Sequence, residues 1–333
     1  MAQEQNWEER IEAWPKALGS TTVHAYIRRR PEDFQVQEKP SFEPTGEGQH
    51  HYLLIEKRSQ NTRWVAQQLA EFSGLRADQI GYAGMKDRHA LTRQWFSIPD
   101  ETPLDLSRFH AEGVQILSQQ KSHKKIRIGE LEANHFKIRL TECRGDRQLV
   151  EERLKLIVRE GVPNYYGRQR FGHHGQNIEH AQRMFSQRRT KQTPKWRLYL
   201  SAARAFLFNE VLAEYIRLEK WPAIVAPAAS LMEKTGPLWG RGRADVAEIT
   251  REMEERIAYQ YPVLKDGLEH VGLRQDRRAL VLSVERLQWQ WAEEDLLLNF
   301  TLPRGGYALS VLRELGAFKD VSLDTDNIVA REK

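Results

Sequence analysis

The segment Gly81-Tyr82-Ala83-Gly84-Met85-Lys86-Asp87-Arg88-His89-Ala90 places one carboxylate among basic side chains, just after two glycines that favour a turn. Asp87 in such a position has two interpretations. It could be a structural partner for its basic neighbours, or an ionised carboxylate that attacks a molecule bound at a basic surface. Taken alone, the structural interpretation is favoured, because most loop aspartates cap turns or helices.

Hydrophobic periodicity around this segment predicts strands. Their expected positions are residues 51–57, 94–98, 114–118, around 136–140 and 295–302. Between the first two strands, Asn61 is expected to cap a helix that buries Val65 and Leu69 and ends at Gly74. The first third of the chain therefore has a mixed α and β pattern.

Residues 161–291 have a mainly helical pattern, in which Ser201 is expected to cap a long helix. The strand at 295–302 follows this region. The order of strands, then helices, then a strand predicts an α+β protein in which a helical domain is inserted into a sheet domain.

Composition limits the class of protein. The chain has 333 residues, of which 29% are charged and 40% hydrophobic, and no apolar run reaches the ~18 residues that a membrane helix needs. Its start is polar, without the apolar stretch of a secretory signal. Cys143 is the only cysteine, which excludes an internal disulfide and a cysteine-based zinc site. We expect a soluble cytoplasmic protein without a metal site.

Positive charge is unevenly distributed. The net charge is only +5, but residues 181–200 contain six basic residues and no acidic one, and residues 121–127 form a second basic cluster. The six are Arg183, Arg188, Arg189, Lys191, Lys195 and Arg197. Clusters of this kind suit phosphate contacts, although a solvated surface explains either cluster equally well.

Four further segments combine aromatic rings, amides and guanidinium groups. They are residues 28–34, 133–136, 161–172 and 302–315. Each one alone could be structural, because rings pack in cores and arginines lie on surfaces. Together they contain the groups that a pocket for a nucleobase and its phosphates needs.

These motifs, in this order and spacing over residues 28–315, resemble the TruD family of tRNA pseudouridine synthases. The matching segments are Pro31-Glu32-Asp33-Phe34, Asn61-Thr62-Arg63, residues 81–94, Asn134 with Phe136, residues 161–172 and residues 302–314. The resemblance implies isomerisation of uridine to pseudouridine at position 13 of tRNA, without a cofactor. It also implies a monomer whose partner is tRNA, with no obligate protein partner and no membrane.

The same resemblance implies a pseudouridine-synthase catalytic domain with a mostly antiparallel central sheet flanked by helices. This domain would comprise residues 1–160 and 292–333, and an inserted, mainly helical TRUD domain would comprise residues 161–291. The insertion agrees with the strand, helix, strand order of the periodicity.

By this resemblance Asp87 is the catalytic nucleophile. An aspartate with an ordinary pKa of about 3.9 is ionised at neutral pH, and a nearby cation keeps it ionised inside a pocket. Where the family usually has a lysine, this chain has Arg28, which we expect to pair with Asp87. Arg29 or Arg30 could serve instead.

The positions that match the family's uridine-binding residues are Phe34, Asn134, Phe136 and Tyr307. The Asn134 amide can read a uracil edge because it both donates and accepts hydrogen bonds, and the Phe136 ring can stack on the base. Tyr307 stands where the family often has phenylalanine. Possible phosphate contacts are Lys86, Arg88, Arg168 and Arg170.

Two other functions fit parts of the sequence. A tRNA-binding or folding factor without chemistry would have the same basic clusters, but would have no use for Asp87 in a pocket. A hydrolase with an aspartate nucleophile would need a second well-placed acid as general acid, and the sequence offers none. The isomerase is the leading hypothesis.

Overall fold

The structure is a computed structural model that describes residues 6–101, 104–188, 193–226, 232 and 234–322. The chain forms two compact units. We call Thr21–Leu154, Val284–Ala308 and Leu315–Lys333 the sheet unit, and Met1–Ser20, Lys155–Ser283 and Leu309–Glu314 the helical unit. The catalytic domain (1–160 and 292–333) and inserted domain (161–291) stay a prediction, because compactness does not by itself define a functional domain.

The strands of the sheet unit build one ten-stranded sheet. In chain order the strands of the whole molecule are β1 (Val23–Ile27), β2 (Phe34–Pro40), β3 (His50–Arg58), β4 (Gly81–Tyr82), β5 (Leu91–Pro99), β6 (Val114–Ser122), β7 (Leu131–Gly145), β8 (Val162–Pro163), β9 (Thr235–Leu238), β10 (Asp276–Ala279), β11 (Val281–Leu282), β12 (Glu285–Ala292), β13 (Asp295–Pro303) and β14 (Gly316–Asp320). The main order of the sheet is β12-β13-β7-β2-β5-β3-β6, with β4 on β5 and β1 between β7 and β14.

The sheet is mostly antiparallel. Only β2 with β5 and β1 with β14 run parallel among its described pairs. This confirms the predicted α+β class with a mostly antiparallel central sheet.

Alternating side chains give the central strands one apolar and one polar face. On the apolar face, Phe34, Phe136 and Phe300 are at most 6% exposed. Their neighbours along the strands, such as Gln35 and Lys137, point to the polar face. Register places Val36, Phe136 and Phe300 in one row across β2, β7 and β13, so the apolar face is continuous.

Helix α2 (Thr62–Ser73) packs on the β3 and β5 end of this face, through Val65 and Leu69 among others. Asn61 accepts a hydrogen bond from the Trp64 backbone N–H at 2.9 Å, and Gly74 ends the helix in a left-handed conformation with φ of 68°. The predicted cap and stop of this helix are confirmed. Helices α3 (Arg147–Glu160) and α9 (Ala308–Leu315) include residues of both units.

The helical unit contains α1 (Trp7–Glu12), α4 (Gln176–Ser186), α5 (Trp196–Arg217), α6 (Trp221–Val225), α7 (Glu248–Tyr259) and α8 (Pro262–His270). Helix α5 starts five residues before Ser201, so the prediction that Ser201 caps it was wrong. The Ser201 hydroxyl instead accepts a hydrogen bond from Arg170 at 3.1 Å. Within the described part of the chain, no helix is both long and apolar enough to cross a membrane.

A buried carboxylate organises the helical unit. Glu210 on α5 has a fully buried side chain and accepts hydrogen bonds from Arg10, from the Trp14 indole at 2.6 Å and from the Tyr261 hydroxyl at 3.0 Å. Because a buried charge is stable only when it is well paired, Glu210 holds the N-terminal segment against α5 and the start of α8.

We therefore expect Glu210→Gln to destabilise the protein by about 1–3 kcal/mol, because the neutral amide leaves part of this network unsatisfied. Urea unfolding followed by tryptophan fluorescence measures the change. Glu214→Gln is the matched control, since Glu214 lies one turn further along α5 and pairs with the exposed Arg256. It should cost under about 1 kcal/mol. Equal losses in the two variants would contradict the organising role of Glu210.

Candidate active site

The loop that carries Asp87 lies between β4 and β5. These strands pair Gly81 with Ser97. A Cβ atom at Gly81 would lie 2.3 Å from the Ser97 hydroxyl oxygen and 2.5 Å from the Ile126 carbonyl oxygen, so only glycine fits. Neither Gly81 nor Gly84 has a positive φ. For Gly81 the expectation of a turn was therefore wrong. A glycine is needed there because the packing is too close for any side chain.

Buried side chains hold the main chain of the loop. The Thr62 hydroxyl accepts a hydrogen bond from the Lys86 backbone N–H at 3.0 Å and lies 2.9 Å from the Gln94 amide oxygen. The Gln94 amide nitrogen donates to the Gly84 carbonyl at 3.1 Å. Because Thr62 and Gln94 are both fully buried, their hydrogen bonds fix the position of the loop main chain.

Lys57 on β3 holds the loop at Asp87 itself. Its side chain is fully buried, and its ammonium donates to the Asp87 carbonyl at 2.9 Å and to the Gln60 carbonyl at 2.6 Å. Burial lowers the pKa of Lys57 to about 8, although the Asp87 carboxylate opposes this change. The like charge of Lys86 lowers the pKa further.

The Asp87 carboxylate contacts Arg28. One Arg28 guanidinium nitrogen lies 3.1 Å from Asp87 Oδ2, and the other end of the group pairs with Asp320 on β14. Arg28 is 5% exposed and its guanidinium carbon lies 4.1 Å from the centre of the Phe34 ring, whereas the Asp87 side chain is 37% exposed. The cation is therefore buried behind a carboxylate that solvent can reach.

The neighbouring arginines have other contacts. Arg29 pairs with Glu142 at 2.5 Å and stacks over the Tyr26 ring at 4.4 Å. Arg30 lines a groove on the polar face. Of the three candidates, Arg28 is the one for which the structure shows an ion pair with Asp87.

Lys86 forms a buried ion pair with Glu38 on β2. Burial raises the pKa of Glu38, and the charge of Lys86 opposes that shift. Glu38 is paired in register with Asn134 on β7, so Asn134 belongs to the same apolar face as the Asp87 loop. The sheet thus brings Asn134 and the loop to one side.

The amide of Asn134 has an open acceptor. Its Oδ1 atom is buried, and no group among the described residues hydrogen-bonds to it. Since buried polar atoms are nearly always satisfied in folded proteins, this acceptor is available to a hydrogen-bond donor of a bound ligand. Two residues along β7, the Phe136 ring stacks on Phe300 with centroids 5.4 Å apart and meets Phe34 edge-on at 6.2 Å.

The remaining candidate residues are more scattered. Tyr307 is half-buried between β13 and α9, and Arg88 is exposed. In the helical unit, Arg168 pairs with Glu8 at 3.1 Å and Arg170 bonds to Ser201. Their roles and that of Lys86 as phosphate contacts stay predictions. Arg189 and Lys191 of the basic segment lie outside the described residues.

A groove of about 850 Å³ lies on the polar face of the sheet. Its walls include Gln35, Lys137, Arg139 and Asn299. Asp87 does not line it. We locate the candidate site on the apolar face, because the Arg28–Asp87 ion pair and the open acceptor of Asn134 lie there. No three His, Cys, Asp or Glu side chains of the described residues form a group that could hold a metal ion.

Sequence reasoning missed Lys57, Glu38 and Asp320. The first two had a readable signal, because they continue the buried alternation of Leu53 and Ile55 on β3 and of Phe34 and Val36 on β2. A charge at a position where alternation predicts burial indicates a paired, functional group. Asp320 had no such signal.

Comparisons with known proteins identify the family of this chain. Residues 16–184 match the family model described as tRNA pseudouridine synthase D (TruD). The tRNA pseudouridine synthase D of Cellvibrio japonicus is 44% identical, covering 93% of this chain and 94% of that protein. That of Aeromonas hydrophila is 40% identical over 89% of this chain and 92% of its own length.

A solved TruD structure from Methanosarcina mazei shares the fold. Its TM-score is 0.69, and the match covers 94% of this chain and 98% of that one, at 19% sequence identity. At 19% identity this similarity shows a shared fold only. The family is shown by the family model and by the more similar sequences. The chain belongs to the TruD family of tRNA pseudouridine synthases.

Proposed function

We propose that this protein converts uridine to pseudouridine in tRNA, at position 13, and that Asp87 is its nucleophile. The relatives that share the family carry the name of this activity. The proposal needs no cofactor, and it includes a monomeric, cytoplasmic enzyme whose catalytic domain is residues 1–160 and 292–333. In the reaction the glycosidic bond breaks, the uracil turns, and C5 joins the sugar while losing its proton.

The observation that carries the proposal is the ion pair of Asp87 with a buried arginine. Arg28 stabilises the ionised carboxylate from behind, while the solvent-exposed side of Asp87 stays open to a substrate. Asp320 holds the other end of the guanidinium, which limits the movement of Arg28. A nucleophile in this arrangement is oriented before the substrate binds.

Base recognition is assigned to the same face. The target uridine is flipped out of the RNA, and its N3–H donates to the open Oδ1 of Asn134. The buried rings of Phe34 and Phe136 form an apolar floor beneath the base. Tyr307 packs beside the base in place of the phenylalanine that is frequent in relatives.

Asp87→Asn should lower the rate of pseudouridine formation by about 10³-fold or more, because an amide is not a nucleophile of this kind. Tritium release from tRNA labelled at uracil C5 measures this rate, since C5 loses its hydrogen only when it bonds to the sugar. Binding of tRNA should persist. Asp78→Asn, at an exposed ion pair with Arg76, is the control and should stay fully active.

A near wild-type rate in Asp87→Asn would refute the nucleophile. If neither protein released tritium while both bound tRNA, the chain would be an RNA-binding factor instead of an isomerase. That result would replace the proposed function by its alternative.

Asn134→Ala should reduce kcat/KM by roughly 10- to 100-fold, since one buried hydrogen bond to the base is lost. Its stability should hardly change, because Oδ1 has no partner to lose among the described residues. Asn299→Ala is the matched control: its Oδ1 is also buried without a partner there, but it pairs in register with Lys137 on the polar face. Equal activity in both variants would remove Asn134 from base recognition.

Arg28→Gln should lower kcat by about 100-fold, because the charge behind Asp87 disappears. Arg28→Lys should stay within about 10-fold of wild type, because one ammonium can still face the carboxylate. Residue 28 has a left-handed backbone conformation, with φ of 56°. Gln and Lys are strained there to the same extent, so backbone strain does not explain a difference between the two variants. Steady-state tritium release compares them, and a Gln variant as active as the Lys variant would exclude the charge as the cause.

A further inference from the structure

Lys57 is a buried cation that the mechanism above does not use. It lies on the apolar face, where register continues from Lys57 through Thr92 to Val36. Its ammonium donates to two main-chain carbonyl oxygens, those of Asp87 and Gln60. The alternation of β3 predicts an apolar residue at this position, and the chain has a charged one instead.

A fully buried ammonium that bonds to carbonyl oxygens is expensive in free energy, because desolvation is not balanced by a directly bonded carboxylate. A methionine of similar length would suit the core better. The charges around Lys57 show what it balances. Lys86 is paired with Glu38, so the Asp87 carboxylate is the nearby negative charge that favours the Lys57 ammonium.

We propose, on the basis of the function proposed above, that Lys57 is a positioning residue for the nucleophile. Its ammonium fixes the backbone of Asp87 through that residue's carbonyl oxygen, and its positive charge attracts the Asp87 carboxylate. Arg28 orients Asp87 through the side chain, and Lys57 does so through the main chain. Thr62 and Gln94 hold the preceding residues of the same loop.

A pH dependence follows from this arrangement. The pKa of Lys57 is lowered to about 8 by burial, so the ammonium is present below that pH and becomes a neutral amine above it. The amine has one donor fewer and no charge. The chemical step should therefore be fast up to pH 8 and slow down above it. The charged groups that act on this ammonium are the Asp87 carboxylate, which favours it, and the Lys86 ammonium, which opposes it.

Single-turnover tritium release from pH 6 to 10 tests the proposal with Lys57→Met. At pH 7 its rate should be about 100-fold below wild type, which is the order expected when a reacting group is displaced by about 1 Å. Its Kd for tRNA should stay within about twofold, because Lys57 is buried and touches no RNA. The decrease centred near pH 8 should be absent from its profile.

Lys265→Met is the matched control. Lys265 is also buried, but it lies in the helical unit and pairs with Asp266 and Glu269. It should keep both the wild-type rate and the alkaline decrease. Thermal unfolding of both variants shows whether they fold, and Lys57→Gln replaces Lys57→Met if the latter does not.

Three results would overturn the inference: a wild-type profile without a decrease near pH 8, a Lys57→Met rate within about threefold of wild type, or a Lys57→Met profile that keeps the decrease. Each of them requires an active wild type. A wild-type protein that releases no tritium at any pH would instead refute the proposed function. The two failures are therefore distinguishable.

Discussion

The two-sided pairing of Arg28 is the interaction on which the arrangement of the sheet unit depends. Its guanidinium meets Asp87 at one end and Asp320 at the other, joining three segments that are distant in sequence. Arg28 directly follows strand β1, and Asp320 is the last residue of β14. These two strands run parallel to each other. Because a buried guanidinium is stable only when it is paired, the strand register and the position of the Asp87 loop support each other.

Much of this fold was readable in the sequence, because alternation and capping are local signals. The helix between Asn61 and Gly74 was predicted from its two ends, and both ends have the expected geometry. The start of α5 was missed at Ser201, since a serine inside a helix looks like a cap until its partner, Arg170, is known. The order of strands was not predictable, because pairings such as β7 with β13 join residues over a hundred positions apart.

The candidate site was predictable to a similar degree. Asp87 and Asn134 were identified from their motifs. The choice of Arg28 over Arg29 and Arg30 required the backbone conformation at residue 28. A positive φ at Arg28 turns its side chain toward Phe34, and no sequence pattern announces that turn. Asp320 could not be predicted from the sequence either, because only the pairing of β14 with β1 brings it to Arg28.

Lys57 and Asn134 are two of the buried polar groups on the apolar face that are expensive for folding, and both lie close to the proposed chemistry. Lys57 carries a charge into the core, and Asn134 presents an acceptor that nothing in the described residues satisfies. A sequence selected for stability alone has no need of a buried charge or of an unbonded acceptor at these positions. The simplest physical account is that each gains its partner, or its purpose, when a base lies against this face: Asn134 by bonding to it, and Lys57 by holding Asp87 in place to attack.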